Sequence, residues 1–350
     1  MKIHENYMMR CIQLAKNGLG TTYPNPMVGC VIVHSGRIIG EGWHMKAGTA
    51  HAEVIAIESV ADTSLLQAAT LYVSLEPCSH FGKTPPCANL IVSSGIKKVV
   101  IGGIDPNPKV AGRGIQKLME AGCDVTVGVL NDACEALNKR FFTFHQKIRP
   151  FIVLKWAQTQ DGFMAPKNEL RSAEKKPFWI TNAYSRQFTH KMRSEEQALL
   201  VGTHTVLADN PNLTTRDWQG NSPVRVVLDR NLKIPKGASV FDGTVKTIVI
   251  TEVETNSTEM LHYETATFSE DLPKQLCAIL YQHNLQSVII EGGARTLQSF
   301  IDAQLWDEAV VFTGAVIFQN GLKAPTFSGK LISEITLKED IMHRYKNLAD

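Results

Sequence analysis

The chain opens on a helical spacing, with Tyr7, Cys11, Leu14 and Ala15 recurring on one face of residues 6–18. Two apolar runs follow, VGCVIV and RIIGEGW, joined by a Ser-Gly turn, and together they predict a hairpin. The pattern then predicts a helix at VIAIESVA, a strand at TLYVSL, a segment CANLIVSSG and a strand at KKVVIG. It closes with a helix at GIQKLMEAG, a strand at DVTVGV and a helix at NDACEALNKRFF. Short β-branched runs alternating with helices predict a mostly parallel sheet covered by helices on both faces and entered through one antiparallel hairpin.

The polar stretch HQKIRP, residues 145–150, ends in proline and precedes a fresh strand, FIVLKWAQ. A domain boundary is expected there, giving a first domain over 1–145 and a second over 150–350. The α/β alternation then restarts, with strands expected at ALLVG, PVRVVLD, TIVIT, SVIIEG and EAVVFTG. Helices are expected at AYSRQFTHKMRSEE, in the 270s and after Gly293. A length of 350 residues agrees with two domains, since one hydrophobic core seldom organises so long a chain.

Composition narrows the function classes. With 44% apolar and 20% charged residues the chain has the profile of a soluble globular protein. A net charge of +2 argues against a broadly basic nucleic-acid surface and leaves room for a local patch suited to a substrate phosphate. The first 18 residues carry Glu5 and other polar residues where a secretory signal needs an apolar stretch, and no run of 18 apolar residues occurs. A cytoplasmic protein with no membrane partner is expected. Seven cysteines, at 11, 30, 78, 87, 123, 134 and 277, make a poor disulfide framework. Five of them sit among apolar residues and read as small buried hydrophobes.

The other two, Cys78 and Cys87, lie in SLEPCSHFGKTPPC, where glycine and paired prolines force a loop. Upstream stands AHAEVIAI, which puts His51 and Glu53 at the first turn of a helix. Side chains two apart on a helix diverge, so one can bind a metal while the other reaches over it. His51, Cys78 and Cys87 make three zinc ligands and leave a fourth position for water, the mark of a catalytic site. Glu53 is then placed to move the water's proton to departing ammonia. With His80 as fourth ligand the zinc is merely structural and Glu53 has no task.

The pattern H-x-E followed by P-C matches the zinc-deaminase signature, with eight residues between the cysteines instead of two. This longer form, PCSHxGxTPPC, together with PNPMVG, GWH and GIDPNPKVAGRG, resembles the bifunctional riboflavin-biosynthesis deaminase/reductase family. The resemblance implies a cytidine-deaminase-like three-layer α/β/α domain in which Asn25, His44 and Lys83 contact substrate. Taken alone, these three read as a turn-forming asparagine, a packed histidine and a solvated lysine. GRGIQK at 112–117 lacks the third glycine of a dinucleotide fingerprint and reads as a turn before a helix.

In the second half, SVIIEGGARTL ends a strand in Glu291 and opens a helix with two glycines, and VGTHTVLADNPNLTTR is a polar, proline-broken stretch after a buried strand. With KWAQTQDG and WITN, these segments resemble the same family's reductase domain, which is dihydrofolate-reductase-like in fold and uses NADPH. The resemblance assigns cofactor contacts to Ala157, Trp179, Thr205, Asp209 and the turn at 292–299, which includes Gly292, Gly293, Ala294, Arg295 and Thr296, with Lys155 a further candidate. It assigns substrate contacts to Arg193, Leu213, Arg216 and Glu291. Pro177 stands where the family commonly has a serine, which removes one expected hydroxyl contact.

The resemblance implies zinc-dependent deamination of 2,5-diamino-6-(5-phosphoribosylamino)pyrimidin-4(3H)-one, then NADPH-dependent reduction of the ribosyl group to ribityl. It further implies one zinc per chain, a phosphorylated small-molecule substrate and a homo-oligomer. The alternatives are a nucleoside or tRNA base deaminase, a deaminase with a degenerate reductase domain, and a scaffold protein whose zinc only staples a loop.

Overall fold

The computed structural model describes residues 2–79, 85–108, 110–166 and 178–349. The chain forms two compact units, Met1–Ile148 and Arg149–Asp350.

In the first unit, α1 (Lys2–Ala15) leads into β1 (Gly29–His34) and β2 (Arg37–Trp43). Ser35 and Gly36 both take positive φ, 48° and 76°, which is the two-residue turn whose twist matches a hairpin. Then come α2 (Ala52–Glu58), β3 (Thr70–Leu75), α3 (Cys87–Ser93), β4 (Lys98–Gly103), α4 (Arg113–Glu120) and β5 (Asp124–Val127). The strand order is β2-β1-β3-β4-β5. β1 runs antiparallel to both β2 and β3, and only β3-β4 and β4-β5 are parallel, so the sheet is mixed and the expectation of a mostly parallel one is corrected.

Alternate strand residues face opposite layers. Cys30, Ile32, Leu71, Val73, Val99 and Ile101 pack with Ala52, Ala56, Ala88, Ile91 and Leu118 of α2, α3 and α4. Val31, Val33, Tyr72 and Val100 pack with Met8, Cys11 and Ile12 of α1 on the other face. α2 lies close against β2 because Gly40 and Gly42 have no side chain. A Cβ at either would fall 2.4–2.5 Å from the carbonyl oxygens of Ala56 and Ala52.

The helix expected at NDACEALNKRFF is two helices, α5 (Asn131–Leu137) and α6 (Lys139–Lys147), broken at Asn138. The Asn138 side chain leaves the helical path to donate to the Met27 carbonyl and accept from the Met27 N–H, each at 2.8 Å. α6 also takes in residues 145–147 of the polar stretch read as a linker.

The described residues of the second unit build a nine-stranded sheet in the order β11-β10-β9-β8-β12-β6-β13-β16-β15. Its strands are β6 (Phe151–Thr159), β8 (Ala198–Gly202), β9 (Val224–Leu228), β10 (Thr247–Thr251), β11 (Leu261–Thr265), β12 (Ser287–Glu291), β13 (Glu308–Gly314), β15 (Lys330–Leu337) and β16 (Asp340–Lys346). A separate small pair joins β7 (Phe163–Pro166) to β14 (Gly321–Lys323). From β11 through β13 every pairing is parallel, and the closing hairpin β15-β16 is antiparallel. One face packs against α9 (Leu272–Gln282) and α10 (Ala294–Asp302) through Leu276, Leu280, Leu297 and Phe300. The other carries α7 (Ala183–Glu195) and α8 (Thr203–Asp209) through Met192 and Val206. α8 lies in a stretch read from sequence only as a loop. The free cysteines at 11, 30, 123, 134 and 277 are buried, as their apolar neighbours imply.

Candidate metal centre and reductase site

In the first unit three chain ends converge. His51 caps α2 in an extended conformation, Cys78 follows the exit of β3, and Cys87 opens α3 behind Pro86. His51 Nδ1 lies 3.3 Å from Cys87 Sγ and 3.6 Å from Cys78 Sγ, and all three donor atoms fall within 4.8 Å of one another. A zinc tetrahedron with its usual bond lengths separates nitrogen from sulfur by about 3.6 Å, so one imidazole and two sulfurs fit that ion in both type and spacing. The two sulfurs are not equivalent. Hydrogen bonding from Cys87 draws the Cys78 thiol well down despite its burial, and the backbone N–H of Cys87 adds a bond at 3.3 Å. The Cys87 thiol is pushed up by the proton it shares with Cys78.

Glu53, in the first turn of α2, is only 3% exposed, and burial first, then the charge of Cys78, raises its carboxyl to about 7. A proton therefore sits easily on this group or off it near neutral pH. His44 meets His51 edge-on, their ring centroids 5.2 Å apart. The Ala50 carbonyl can only accept, so His44 Nδ1 donates to it at 3.1 Å, and burial favours the neutral ring. The remaining Nε2 accepts from the Asn25 amide nitrogen at 3.1 Å. Asn25 and His44 are thus coupled beside the candidate ligand His51. Lys83 and His80 lie outside the described residues, as does Pro177.

In the second unit Glu291 ends β12 directly opposite Lys155 of β6. Its carboxylate accepts from Lys155 Nζ at 2.8 Å and from Arg193 of α7 at 2.6 Å. Burial alone would raise this acid, but Arg193 and Lys155 together hold it down to about 2. Arg193 also donates to the Thr214 carbonyl, while its Nε is buried without a hydrogen-bond partner among the described residues.

Gly292 and Gly293, with φ of 75° and 58°, open α10. A Cβ on Gly292 would fall 3.0 Å from Thr205 Oγ1, and one on Gly202 would fall 3.2 Å from Thr296 Oγ1. The two threonines and the glycines therefore form a narrow cradle at the carboxyl ends of parallel strands, where backbone N–H groups can approach a dinucleotide's phosphates. That cradle fits NADPH. Ala294 and the exposed Arg295 start the same helix, and Asp209 ends α8. Ala157 lies on β6, paired with Phe312.

Of the remaining assigned residues, Leu213 and Arg216 flank Thr214, whose carbonyl accepts from Arg193, and Trp179 stands apart from these groupings. Trp179 is half exposed with the Arg186 guanidinium 4.6 Å over its ring. The Leu213 side chain is buried in the core at a positive φ of 56°, so it can offer a ligand only its backbone. Arg216 is tied in through its backbone N–H, which donates to His190 Nδ1 at 3.3 Å. Sequence reasoning missed His190, although its position three residues before Arg193 puts both on one helical face.

Residues 1–103 match the model of the cytidine and deoxycytidylate deaminase zinc-binding region, and residues 150–347 match that of the RibD C-terminal domain. The chain is 41% identical over 338 residues to riboflavin biosynthesis protein RibD of Aquifex aeolicus, covering 95% of this chain and 93% of the relative. It is 34% identical over 339 residues to the Escherichia coli protein of that name, covering 88% and 86%. A crystal structure of the diaminohydroxyphosphoribosylaminopyrimidine deaminase/5-amino-6-(5-phosphoribosylamino)uracil reductase of Thermotoga maritima superposes with a TM-score of 0.88 at 38% identity, covering 99% of each chain.

Proposed function

The chain belongs to the RibD family of bifunctional deaminase/reductases in riboflavin biosynthesis, and from that footing we propose how its residues divide the two reactions. The observation that carries the first half is the convergence of His51 Nδ1 with the Cys78 and Cys87 sulfurs beside a buried carboxyl. These three residues would hold zinc, which would supply the Lewis acidity that activates water near neutral pH. Glu53 accepts the proton on a carboxylate oxygen and returns it to the departing amino group, which leaves as ammonia. Asn25 and His44 hold the pyrimidine edge. Lys83 is assigned to the ribose phosphate on its sequence position alone.

In the second half NADPH would supply the hydride, and solvent the proton, that together reduce the ribosyl group to ribityl. Thr205, Thr296 and the turn at Gly292 and Gly293 hold the cofactor's phosphates, with Ala157, Trp179, Asp209, Ala294 and Arg295 completing its site. Lys155, Arg193 and Glu291 make a fixed charged wall for the substrate, joined by Arg216 and the Leu213 backbone. The wall's function is alignment of donor and acceptor carbons.

The decisive assay measures ammonia released from the diaminopyrimidine substrate. Glu53→Gln is expected to lose about 10²–10⁴-fold in kcat, while reduction of the already deaminated intermediate proceeds at the wild-type rate. Equal deamination by both proteins would remove the mechanism.

The protein is read as cytoplasmic; no described helix is long and apolar enough to cross a membrane. A homo-oligomer is also proposed, supported by Leu331, Ile332 and Ile335, which stand exposed on the edge strand β15. Light scattering should give a mass of at least two chains, and a mass of one chain would reject this.

A further inference from the structure

Glu76 lies two residues before Cys78, between the end of β3 and the metal pocket, and is only 4% exposed. A buried carboxylate ordinarily needs a cation or several hydrogen bonds. Here four backbone N–H groups from one distant segment meet it. Gly112 donates to Oε2 at 2.9 Å and Gly114 to Oε1 at 2.8 Å, while Asp105 and Ile115 add one bond each at 3.3 Å. Four donors match the four lone-pair sites of a carboxylate. Three of them belong to the start of α4, where a negative charge is favoured by the helix dipole.

The same two segments touch through their backbones. A Cβ on Gly114 would fall 2.0 Å from the Pro77 carbonyl oxygen and 3.2 Å from Glu76 Cγ. The N–H of Glu76 itself donates to Gly103 at 2.9 Å, which ties the ends of β3 and β4 together. The turn that presents Cys78 is therefore gripped on both sides of its proline by one piece of chain. That piece carries Asp105, a buried acid raised to about 6 by its burial.

We propose that Glu76 is a positioning residue of the deaminase: its carboxylate ties the Cys78 turn to the backbone at Asp105 and at the start of α4, and so sets the sulfur's place in the metal pocket. The proposal rests on the ligand reading given above. A carboxamide offers a single acceptor oxygen, so Glu76→Gln sets an NH2 group against two of the four N–H donors. The Cys78 turn then loses half its anchorage while every metal ligand is kept.

Zinc affinity of the full chain, read by competition with a chromophoric chelator, is expected to fall 10–100-fold in Glu76→Gln. Saturating zinc should restore the deaminase kcat, and NADPH oxidation on deaminated substrate should stay at the wild-type level. A purely structural role would lower the fraction of folded protein and leave the affinity of that fraction unchanged, so wild-type zinc affinity in folded Glu76→Gln overturns the proposal. Should the variant fail to fold, the wild type carries the test: removing zinc should speed hydrogen exchange at the amides of Gly112 and Gly114, and unchanged exchange overturns it. Cys78→Ser tests the ligand reading separately, because zinc retained at full affinity there would reject that reading and not the role of Glu76.

Discussion

At the scale of single residues, the second unit gathers groups that are ionised or neutral by force of their surroundings. His190 is pushed down to about 4 by burial and by the guanidinium groups of Arg193 and Arg216, so the folded protein keeps it neutral where the unfolded chain protonates it near 6.5. Between those two values the unfolded state binds the extra proton. Stability from this residue is therefore complete above pH 6.5 and is lost as pH falls toward 4, with a slope approaching about 1.4 kcal/mol per pH unit. Glu291 follows the same sign in a lower window: its contribution is complete above 4.5 and is lost as pH falls toward 2. Urea unfolding of wild type and His190→Gln at pH 7 and pH 5 checks the first of these. The loss of stability between the two pH values should be smaller in the variant, and parallel losses would contradict the assignment.

At the scale of elements, what the sequence made legible depended on whether a local rhythm survived packing. β3, β10 and β13 are largely apolar and β-branched because both their faces are covered, and their limits were readable to the residue. β15 was not readable. Its side chains are mostly exposed, so they carry no alternation to read. α8 was hidden because its polar, threonine-rich seven residues lead straight into a proline-broken loop. The break at Asn138 had no local signal at all, since its partner Met27 stands 111 residues earlier. Glu76 was in plain view within SLEPC, but its four donors come from a segment about 30–40 residues downstream. The convergence of His51, Cys78 and Cys87 was legible for the opposite reason: their residue types are rare in combination, and the chemistry limits what they can do.

Asn138 also yields an expectation at this scale. Replacing it with alanine leaves the Met27 N–H and carbonyl buried and unpaired, at a cost of about 1–3 kcal/mol for each. Thermal unfolding of Asn138→Ala should show a lower Tm. Its deaminase KM should rise as well, because Met27 lies two residues from Asn25, and an unaltered KM would separate this anchor from substrate binding.

At the scale of the whole molecule, two compact units with separate cores suggest two separately responsive transitions. Calorimetry on the intact chain tests this. Chelating zinc should lower the melting temperature of one transition and leave the other in place. NADPH at a hundred times its Kd should stabilise the second by about 2.7 kcal/mol without moving the first. A single transition shifted by both would show that the units unfold as one.

The wall formed by Lys155, Arg193 and Glu291 sets two cations against one carboxylate, all but shut off from solvent. Its surplus of positive charge is one that an incoming anion can offset. An uncharged sugar entering there would strip water from the surplus and give nothing back, whereas a phosphate monoester neutralises it. Ordinary inorganic anions share that advantage, so the reduction step should grow more sluggish in concentrated phosphate than in a neutral osmolyte of equal strength.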